Sequence, residues 1–518
     1  MVNRSLFQSL VGKLKPVSGH NEAGGTAHTF DSKHALAQMA VTGCFGDVFY
    51  ANAETQLDSV LQLAHQVDDV FLAKLAIYAR QTGAMKDMPA LLVAILTQRK
   101  SEHLETAFGQ VIQNGKMLRN YVQMVRSGVT GRRSLGSRPK RLIQNWLNSK
   151  SLNGLFADAV GQQPSLADVI KMVHPKALDP AREALYGYLI GKVAESEALP
   201  EVVQAYEAFK NGTSQSLPDL PFQKLTALPL TQADWVLIAQ RAAWHMTRMN
   251  LNTFARHGVF EVPGMAELIA QRLADPKAVR KAKPFPYQLM VAFEQADAAV
   301  PMIVKSALQD AMEIATENVP AWPGRVAVLV DVSGSMGSPV SGYRKGATST
   351  VRCVDVAALI AACVLRKNPD AIVMPFDTQV HKATLNPRDT VLTNAARLAK
   401  FGGGGTNCAL GLEALNKNRT PIDLVLMVSD NESWIHSKRQ YTQTQIEWEK
   451  LKKANSKAKL VCLDIQPYTS SQVPNQPDIL NIGGFSDSVF QVIADFAAGR
   501  SAHEWVQQIE AIPLSETA

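Results

Sequence analysis

Two aspartates and three hydroxyl side chains carry the chemistry this sequence advertises: Asp331, Ser333 and Ser335 in AVLVDVSGSMGS, Thr406 in FGGGGTNCAL, and Asp430 in DLVLMVSDNES. Each set sits just after an apolar run of strand length. In a parallel α/β sheet the three loops would meet at one carboxyl edge, where such folds bind ligands. Carboxylate and hydroxyl oxygens suit a hard divalent cation, Mg²⁺ above all, which keeps part of its water shell and leaves a position open to a partner. Without an ion, the same residues have ordinary work: Ser333 and Ser335 would cap the helix after their loop, and Thr406 the helix after Gly405. The run Gly402–Gly405 lacks the GK[ST] ending of a phosphate-binding loop, so its expected use is to carry Thr406 toward the ion.

The elements that must position these side chains change character near Pro320–Pro323. Beyond it, Val326–Val330, Ala371–Pro375, Leu424–Val428 and Leu460–Leu463 are strand-length apolar runs, alternating with helical stretches at Val351–Leu365, Leu410–Leu415 and Val489–Phe496. That alternation predicts a parallel sheet covered on both faces, in a domain spanning 321–518. Before it, Leu57, Val60, Leu61 and Ala64 lie at i, i+3, i+4, i+7, as do Leu72, Leu75, Ala76 and Ala79, and later Val304, Ala307, Leu308 and Ala311. Frequent Gly and Pro limit these helices to a few turns. Residues 1–320 therefore predict a strandless α-helical solenoid of degenerate HEAT-like pairs, with no strict sequence period.

Charge is distributed unevenly. Lys and Arg number 53 against 46 Asp and Glu, for a net charge of +7. Between Glu105 and Asp158 no acidic residue occurs, while Lys116, Arg119, Arg126, Arg132, Arg133, Arg138, Lys140, Arg141 and Lys150 all fall inside. The middle of that stretch, RSGVTGRRSLGSRPKR, interleaves cations with Gly and Ser. A solvated helix face normally mixes signs, so one-sided charge on a close-approaching backbone points to phosphates. Tyr121 and Trp146 flank the stretch and read first as core residues.

At 518 residues and 46% apolar, the chain is too long for one core and rich enough in apolar residues for two or more. No run of eighteen apolar residues occurs, and MVNRSLFQSLVGKLKP lacks the apolar core and cleavage site of a secretory signal, so the expected address is cytoplasmic, with no membrane partner. Cysteines 44, 353, 363, 408 and 462 are odd in number and form no CxxC pair, which argues against a disulfide framework and a structural zinc.

The helical first part and the DxSxS…T…D second part together resemble the Ro autoantigen family, in which a helical TROVE module precedes a von Willebrand A domain with a metal-ion-dependent adhesion site. The stretches that carry the resemblance are Asn21–Tyr50, Val279–Glu294 (VRKAKPFPYQLMVAFE), DVSGSM, GGGTNCAL, VSDNES and NIGGFSDSVFQVIADF. The resemblance implies a solenoid closed into a ring, with the A domain bridging its ends. It implies a non-enzymatic RNA-binding protein, monomeric in its complex, that holds a small noncoding Y-like RNA outside and takes the single-stranded 3′ ends of misfolded structured RNAs into its central hole. Bacterial members of the family are implicated in RNA quality control, in some cases beside an exoribonuclease. His174 matches a histidine of the family's Y RNA surface, with Lys171 and Lys176 beside it; the family's basic residues on the preceding helix are not matched, since that helix reads SLNGLFADAVGQQ.

Two further function classes stand beside RNA binding. An adhesion-like scaffold would use the metal site to take an acidic side chain from a protein partner without specific RNA. A metal-dependent hydrolase is disfavoured, because the five positions offer neither paired carboxylates for two ions nor a neighbouring histidine as base; Glu432 stands closest and reads as a supporting residue.

Overall fold

The computed structural model describes residues 14–43, 52–161, 163–192, 196–340, 351–430, 432–433, 440–466, 468–484, 488–499 and 505–514. The C-terminal sheet contains five parallel strands in the order β4-β3-β5-β6-β8: β3 (Val326–Asp331), β4 (Ile372–Phe376), β5 (Leu424–Ser429), β6 (Lys459–Asp464) and β8 (Ile479–Gly483). Four of these follow the predicted runs within a residue or two. The fifth, DILNIGG, carries Asn and Gly and lacks the continuous apolar run that marks the others. Strand periodicity sorts the side chains into two cores. Val326, Val328 and Val330 of β3, with Leu424, Leu426 and Val428 of β5, join the apolar cluster that continues into the helical region. Ala327 and Leu329, with Val425 and Met427, pack on the other face against Leu412, Leu415 and Trp448.

The strand order creates one crevice. From β3 the chain crosses to β4 on one side, while from β5 it crosses to β6 on the other, so the loops after the adjacent strands β3 and β5 diverge. This is the switch point of an open α/β sheet, the place where its ligands sit.

The N-terminal region is helical from α1 (Ser32–Thr42) through α2 (Ala53–His65), α3 (Asp69–Gln81), α4 (Asp87–Arg99), α5 (Leu104–Val111), α6 (Gly115–Ser127), α7 (Ser137–Ser149), α8 (Leu152–Asp158) and α9 (Leu166–Val173), and on to the helix Met302–Ala315. Local chemistry sets the helix starts: Asn52, Asp68, Asn114, Ser151, Ser165 and Asp179 each accept a hydrogen bond from a first-turn N–H. Neighbours in sequence stack in space, α3 on α4 and α5, α4 on α6, α7 on α9. One expectation fails here: the region is not strandless. Gly19–His20 (β1) and Thr26–Thr29 (β2) form a hairpin around the turn Asn21–Gly25, and β2 pairs with Ser470–Ser471 (β7). The turn is written in the sequence, since Asn21 Oδ1 accepts from Gly25 N at 2.6 Å and Gly24 takes φ +80°. The long-range partner strand of only two residues gives no sequence signal.

Both ends of the helical array rest on the C-terminal domain. At the start, α1 packs on β8, and the helix Trp505–Glu510 packs on α3, with Trp505 Nε1 donating to Tyr78 Oη at 3.0 Å. At the far end, Pro286–Glu294 packs on Cys353–Lys367, and Met302–Ala315 on Val391–Leu398. Cys353, Cys363, Cys408 and Cys462 are buried thiols outside any disulfide among the described residues, and Cys44 lies outside the described residues. Among the described residues no helix is long and apolar enough to cross a membrane.

A repeat invisible in the apolar pattern appears in the arginines. Arg99 reaches back 35 residues to the carbonyl of Ala64 near the end of α2, and Arg132 reaches 35 residues to Thr97 O near the end of α4. Arg182 reaches 35 residues to Leu147 O near the end of α7, and Arg272 reaches 33 to Ala239 O near the end of the helix Gln232–Arg241. Each guanidinium occupies carbonyls that a helix C-terminus leaves without intrahelical donors, and its fork often takes two. Arg182 is the most enclosed of the four, 7% exposed, with Nη1 on Leu147 O at 2.9 Å and Nη2 on Lys150 O at 2.8 Å. Arg182→Lys keeps the charge and loses the fork. Urea unfolding is expected to show a loss of about 1.5–3 kcal/mol, the worth of charged hydrogen bonds, whereas the exposed Arg133→Gln should stay within about 0.5 kcal/mol of the parent. Equal midpoints for the two variants would remove the stapling role.

Candidate functional site

The switch-point crevice gathers the five oxygen-bearing residues, all buried: Asp331 at the end of β3, Ser333 and Ser335 in its loop, Thr406, and Asp430 just past β5. Asp331 is held from two directions, Oδ2 accepting from Ser429 Oγ at 2.5 Å and Oδ1 from Ser333 N at 2.9 Å. Ser333 Oγ and Ser335 Oγ lie 3.2 Å apart, and Ser335 hydrogen-bonds Asp430. Asp430 Oδ1 accepts from Glu432 N at 3.1 Å, while its Oδ2 is buried without a hydrogen-bond partner.

The glycine run is fastened across this loop by its backbone. Gly403 N donates to Val332 O at 3.0 Å, and Gly334 N to Gly404 O at 2.9 Å. Gly402 sits at φ +104°, and a Cβ there would lie 1.7 Å from Val332 O, so no other residue fits. Asp377, at the end of β4, accepts from Gly404 N through Oδ2 at 3.3 Å, and its own carbonyl accepts from Asn407 N at 3.1 Å. Thr406 is thereby pinned between two fixed points, and Ser433 Oγ donates to its carbonyl at 3.3 Å. Neither serine, nor Thr406, serves as a helix cap: the helix Cys353–Lys367 is closed by Arg352 and Asp355, and Leu410–Lys417 starts at Ala409 without a side-chain cap.

Electrostatics at the crevice are those of negative charge in want of a counter-charge. Burial, then the neighbouring Asp430 charge, pushes Asp331 up to about 7. Burial likewise raises Asp430. Glu432, whose Oε2 accepts from Ala23 N at 2.9 Å, is pushed up to about 9 by burial first and by Asp430 second. Burial, with Asp430 and Glu432, raises Asp464 at the end of β6. Among the described residues no three His, Cys, Asp or Glu side chains are grouped to hold an ion, so a cation here would rely on the hydroxyls of Ser333, Ser335 and Thr406 beside the two aspartates. That donor set, with an orphaned Asp430 oxygen, fits a hard ion. Ser429, Asp377 and Asp464 were missed from sequence. Each ends or directly follows a strand of the sheet, and that position is the signal that would have found them.

The acid-free basic stretch divides into two groups. Arg119 is buried with Nη1 on Asp158 O at 3.0 Å; Arg132 binds Thr97 O and Leu135 O; Arg138 binds Ser101 O at 2.7 Å and pairs with Glu105. These three hold helices together. Arg141 is exposed but also pairs with Glu105 at 3.3 Å. Lys116, Arg126, Arg133 and Lys140 are exposed and form no ion pair among the described residues. Tyr121 and Trp146 are core residues, the indole N–H donating to Ile112 O at 2.7 Å. Lys171, His174 and Lys176 are exposed on the edge beside α7, where Gln144 Nε2 donates to Val173 O at 2.6 Å and Asn148 Nδ2 to Lys176 O at 2.9 Å. Lys140, Gln144 and Asn148 are four residues apart on one face of α7, so Lys140 continues the same edge.

The raised carboxyls have a consequence for stability. Asp331 has an ordinary value of 3.8 and a folded one of about 7; Glu432 moves from 4.5 to about 9. In both cases the folded state holds the proton more tightly, so their contribution is present at low pH and is lost as pH rises through the folded values. In the absence of divalent ions, the melting temperature is expected to fall between about pH 4 and about pH 9, and Asp331→Asn should flatten the part of that fall centred near 7. A melting temperature that rises through this window would show that the crevice is already neutralised by other means.

Residues 325–497 match the family described as the Ro60 vWA domain. Over 92% of this chain and 95% of its own length, the RNA-binding protein RO60 of Deinococcus radiodurans is 26% identical. The protein of the same name from Caenorhabditis elegans is 23% identical over 60% of this chain and 50% of its own. The crystal structure of the Deinococcus radiodurans RO (RSR) protein superposes with a TM-score of 0.62 at 23% identity, covering 91% of this chain and all of that one, and so shares its fold. Helical array and sheet thus share the fold of the Deinococcus radiodurans RO (RSR) protein through most of the chain, and the part from residue 325 to residue 497 is similar to the Ro60 vWA domain family.

Proposed function

We propose that this protein binds RNA, as a non-enzymatic partner of a small noncoding Y-like RNA and of the 3′ single-stranded ends of misfolded structured RNAs, in RNA quality control in the cytoplasm. The observation that carries this reading is the set of exposed cations without ion-pair partners among the described residues, on α6, α7, the loop between them and the end of α9: Lys116, Arg126, Arg133, Lys140, Lys171 and Lys176, with His174 among them. Cations left in water at this density, on a scaffold that otherwise spends its arginines on carbonyls, suit a polyanion. Similarity to the RNA-binding protein RO60 of Deinococcus radiodurans supports the same class. Placement of both ends of the helical array on the C-terminal domain supports a closed ring, complete in one chain and hence a monomer in the complex.

The exposed cations define the test. Changing Arg133, Lys140, Lys171 and Lys176 together to Gln removes up to four phosphate contacts and should flatten the slope of log affinity against log salt by about 0.7 per contact on single strands, somewhat more on duplex. Affinity should fall most at low salt. An unchanged slope, with the fold intact, would move RNA binding off this surface.

A second reading concerns the crevice and coexists with the first. Its donor set would hold Mg²⁺ between Asp331, Ser333, Ser335, Thr406 and Asp430, and the bound cation would neutralise the buried carboxylates and accept an acidic side chain from a protein partner, an exoribonuclease being the kind that quality control requires. The orphaned Asp430 Oδ2 favours this reading. Titration calorimetry is expected to give a Mg²⁺ signal for the parent and none for Asp331→Ala, with RNA affinity kept by both. If RNA affinity disappears in a folded Asp331→Ala protein, the RNA itself reaches the ion.

A further inference from the structure

Between α2, α4 and α6 lies a groove of about 350 Å³ that belongs neither to the crevice nor to the α7 edge. Leu57, Leu91, Met124 and Val129 form its apolar walls, Asn120 and Gln123 present amides to it, and Asp87 and Ser127 complete the lining. We propose that this groove seats one unpaired nucleotide of the RNA, a site that deepens the RNA-binding reading and rests on it.

Three observations fix the chemistry. The first is size: about 350 Å³ lies at the small end of the roughly 300–1,000 Å³ typical of small-ligand clefts and takes a single nucleotide, not a duplex. The second is the pattern of donors. Asn120 Nδ2 is spent on Asp87 Oδ1 at 2.8 Å, which leaves the Asn120 carbonyl oxygen as acceptor, while the exposed Gln123 amide offers both a donor and an acceptor. A base edge needs that mixture, and a flat base packs well on a thioether and aliphatic side chains.

The third is charge. Lys116, Asn120, Gln123 and Ser127 follow i, i+4, i+7, i+11 on α6 and so form one stripe. At its start, Lys116 stands near Lys86; burial of the Lys86 side chain first, and then the charges of Lys116 and Arg80, hold Lys86 below its ordinary value against the opposing pull of Asp87. These cations outnumber Asp87, the carboxylate of the lining, and offer phosphates a seat next to the base. A fatty occupant would offer the Asn120 oxygen and the Gln123 amide no hydrogen-bond partner.

The test uses the full-length protein and one RNA hairpin in two forms, with a 3′ tail of several uridines and blunt-ended. Gln123→Glu with Val129→Glu places two carboxylates on exposed positions of the groove, where folding is not at stake. Affinity for the tailed RNA should fall about tenfold while that for the blunt RNA holds, and a 4-thiouridine in the tail should crosslink to α4 or α6 in the parent and not in the variant. A variant that keeps the parent's preference for the tail, or a crosslink that forms elsewhere, overturns the nucleotide seat and leaves RNA binding standing. A parent protein that binds neither RNA overturns both.

Discussion

Two carboxylates, Asp331 and Asp430, are buried side by side at the end of a parallel sheet, and most of the C-terminal domain is arranged around that fact. An isolated buried charge is costly enough that a protein either pairs it or keeps it protonated. Among the described residues no Lys or Arg pairs with either of them. Hydroxyls and backbone N–H groups come instead: Ser429 and Ser333 on Asp331, Ser335 and the Glu432 N–H on Asp430. Such donors orient a carboxylate without cancelling it, which is what a site needs if its charge is to be cancelled from outside. The close approach of the glycine run follows from the same need. Only a residue without Cβ can lie against Val332 O at position 402, and so fasten the loop that carries Thr406 to the loop that carries Ser333.

That constraint extends to the first residues of the fold. Glu432 accepts from Ala23 N, and Asn21 Nδ2 donates to Ser433 O at 2.8 Å, so the hairpin turn Asn21–Gly25 is bonded to the loop that carries Asp430. The same hairpin pairs with β7 and leads into α1, which packs on β8. The start of the helical array is therefore set by the loops of the crevice. A change of charge at Asp430 would be felt at α1 through two hydrogen bonds and one strand pairing.

Much of this was legible in the sequence for reasons that can be named. Strands buried on both faces write themselves as continuous apolar runs, so β3, β4, β5 and β6 stood out, and with them the residues that end them. What stayed hidden depends on partners distant in sequence. Two-residue β7 has no pattern of its own, and β1 and β2 are strands because of it. The solenoid repeat stayed hidden because it resides in arginines that reach about one repeat back to a carbonyl, and a carbonyl has no residue type. For the same reason charge alone does not distinguish Arg132, on Thr97 O, from Arg133, in solvent. The cations of that stretch read as one surface, yet Arg119, Arg132 and Arg138 are spent on internal carbonyls.

His174 shows where function can be argued from a local misfit. It ends α9 in the left-handed region, φ +48°, a position where Gly is the usual residue and a side chain costs about 1–2 kcal/mol. Nothing in the interior recovers that cost, since the imidazole is exposed and the backbone alone is held, by His174 N on Ile170 O at 2.9 Å and by Gln144 on the neighbouring carbonyl. A strained and exposed side chain flanked by Lys171 and Lys176 is better explained by what it touches than by what it supports. Asp158, on the helix where the related surface would carry basic residues, has the opposite character. Its carbonyl anchors Arg119, and Gly115 is packed so close to it that a Cβ would lie 2.7 Å from its backbone oxygen. α8 thus turns Leu155 and Phe156 to the interior and presents no cation, so in the function proposed above the cations on α7 and around α9 would carry the contact.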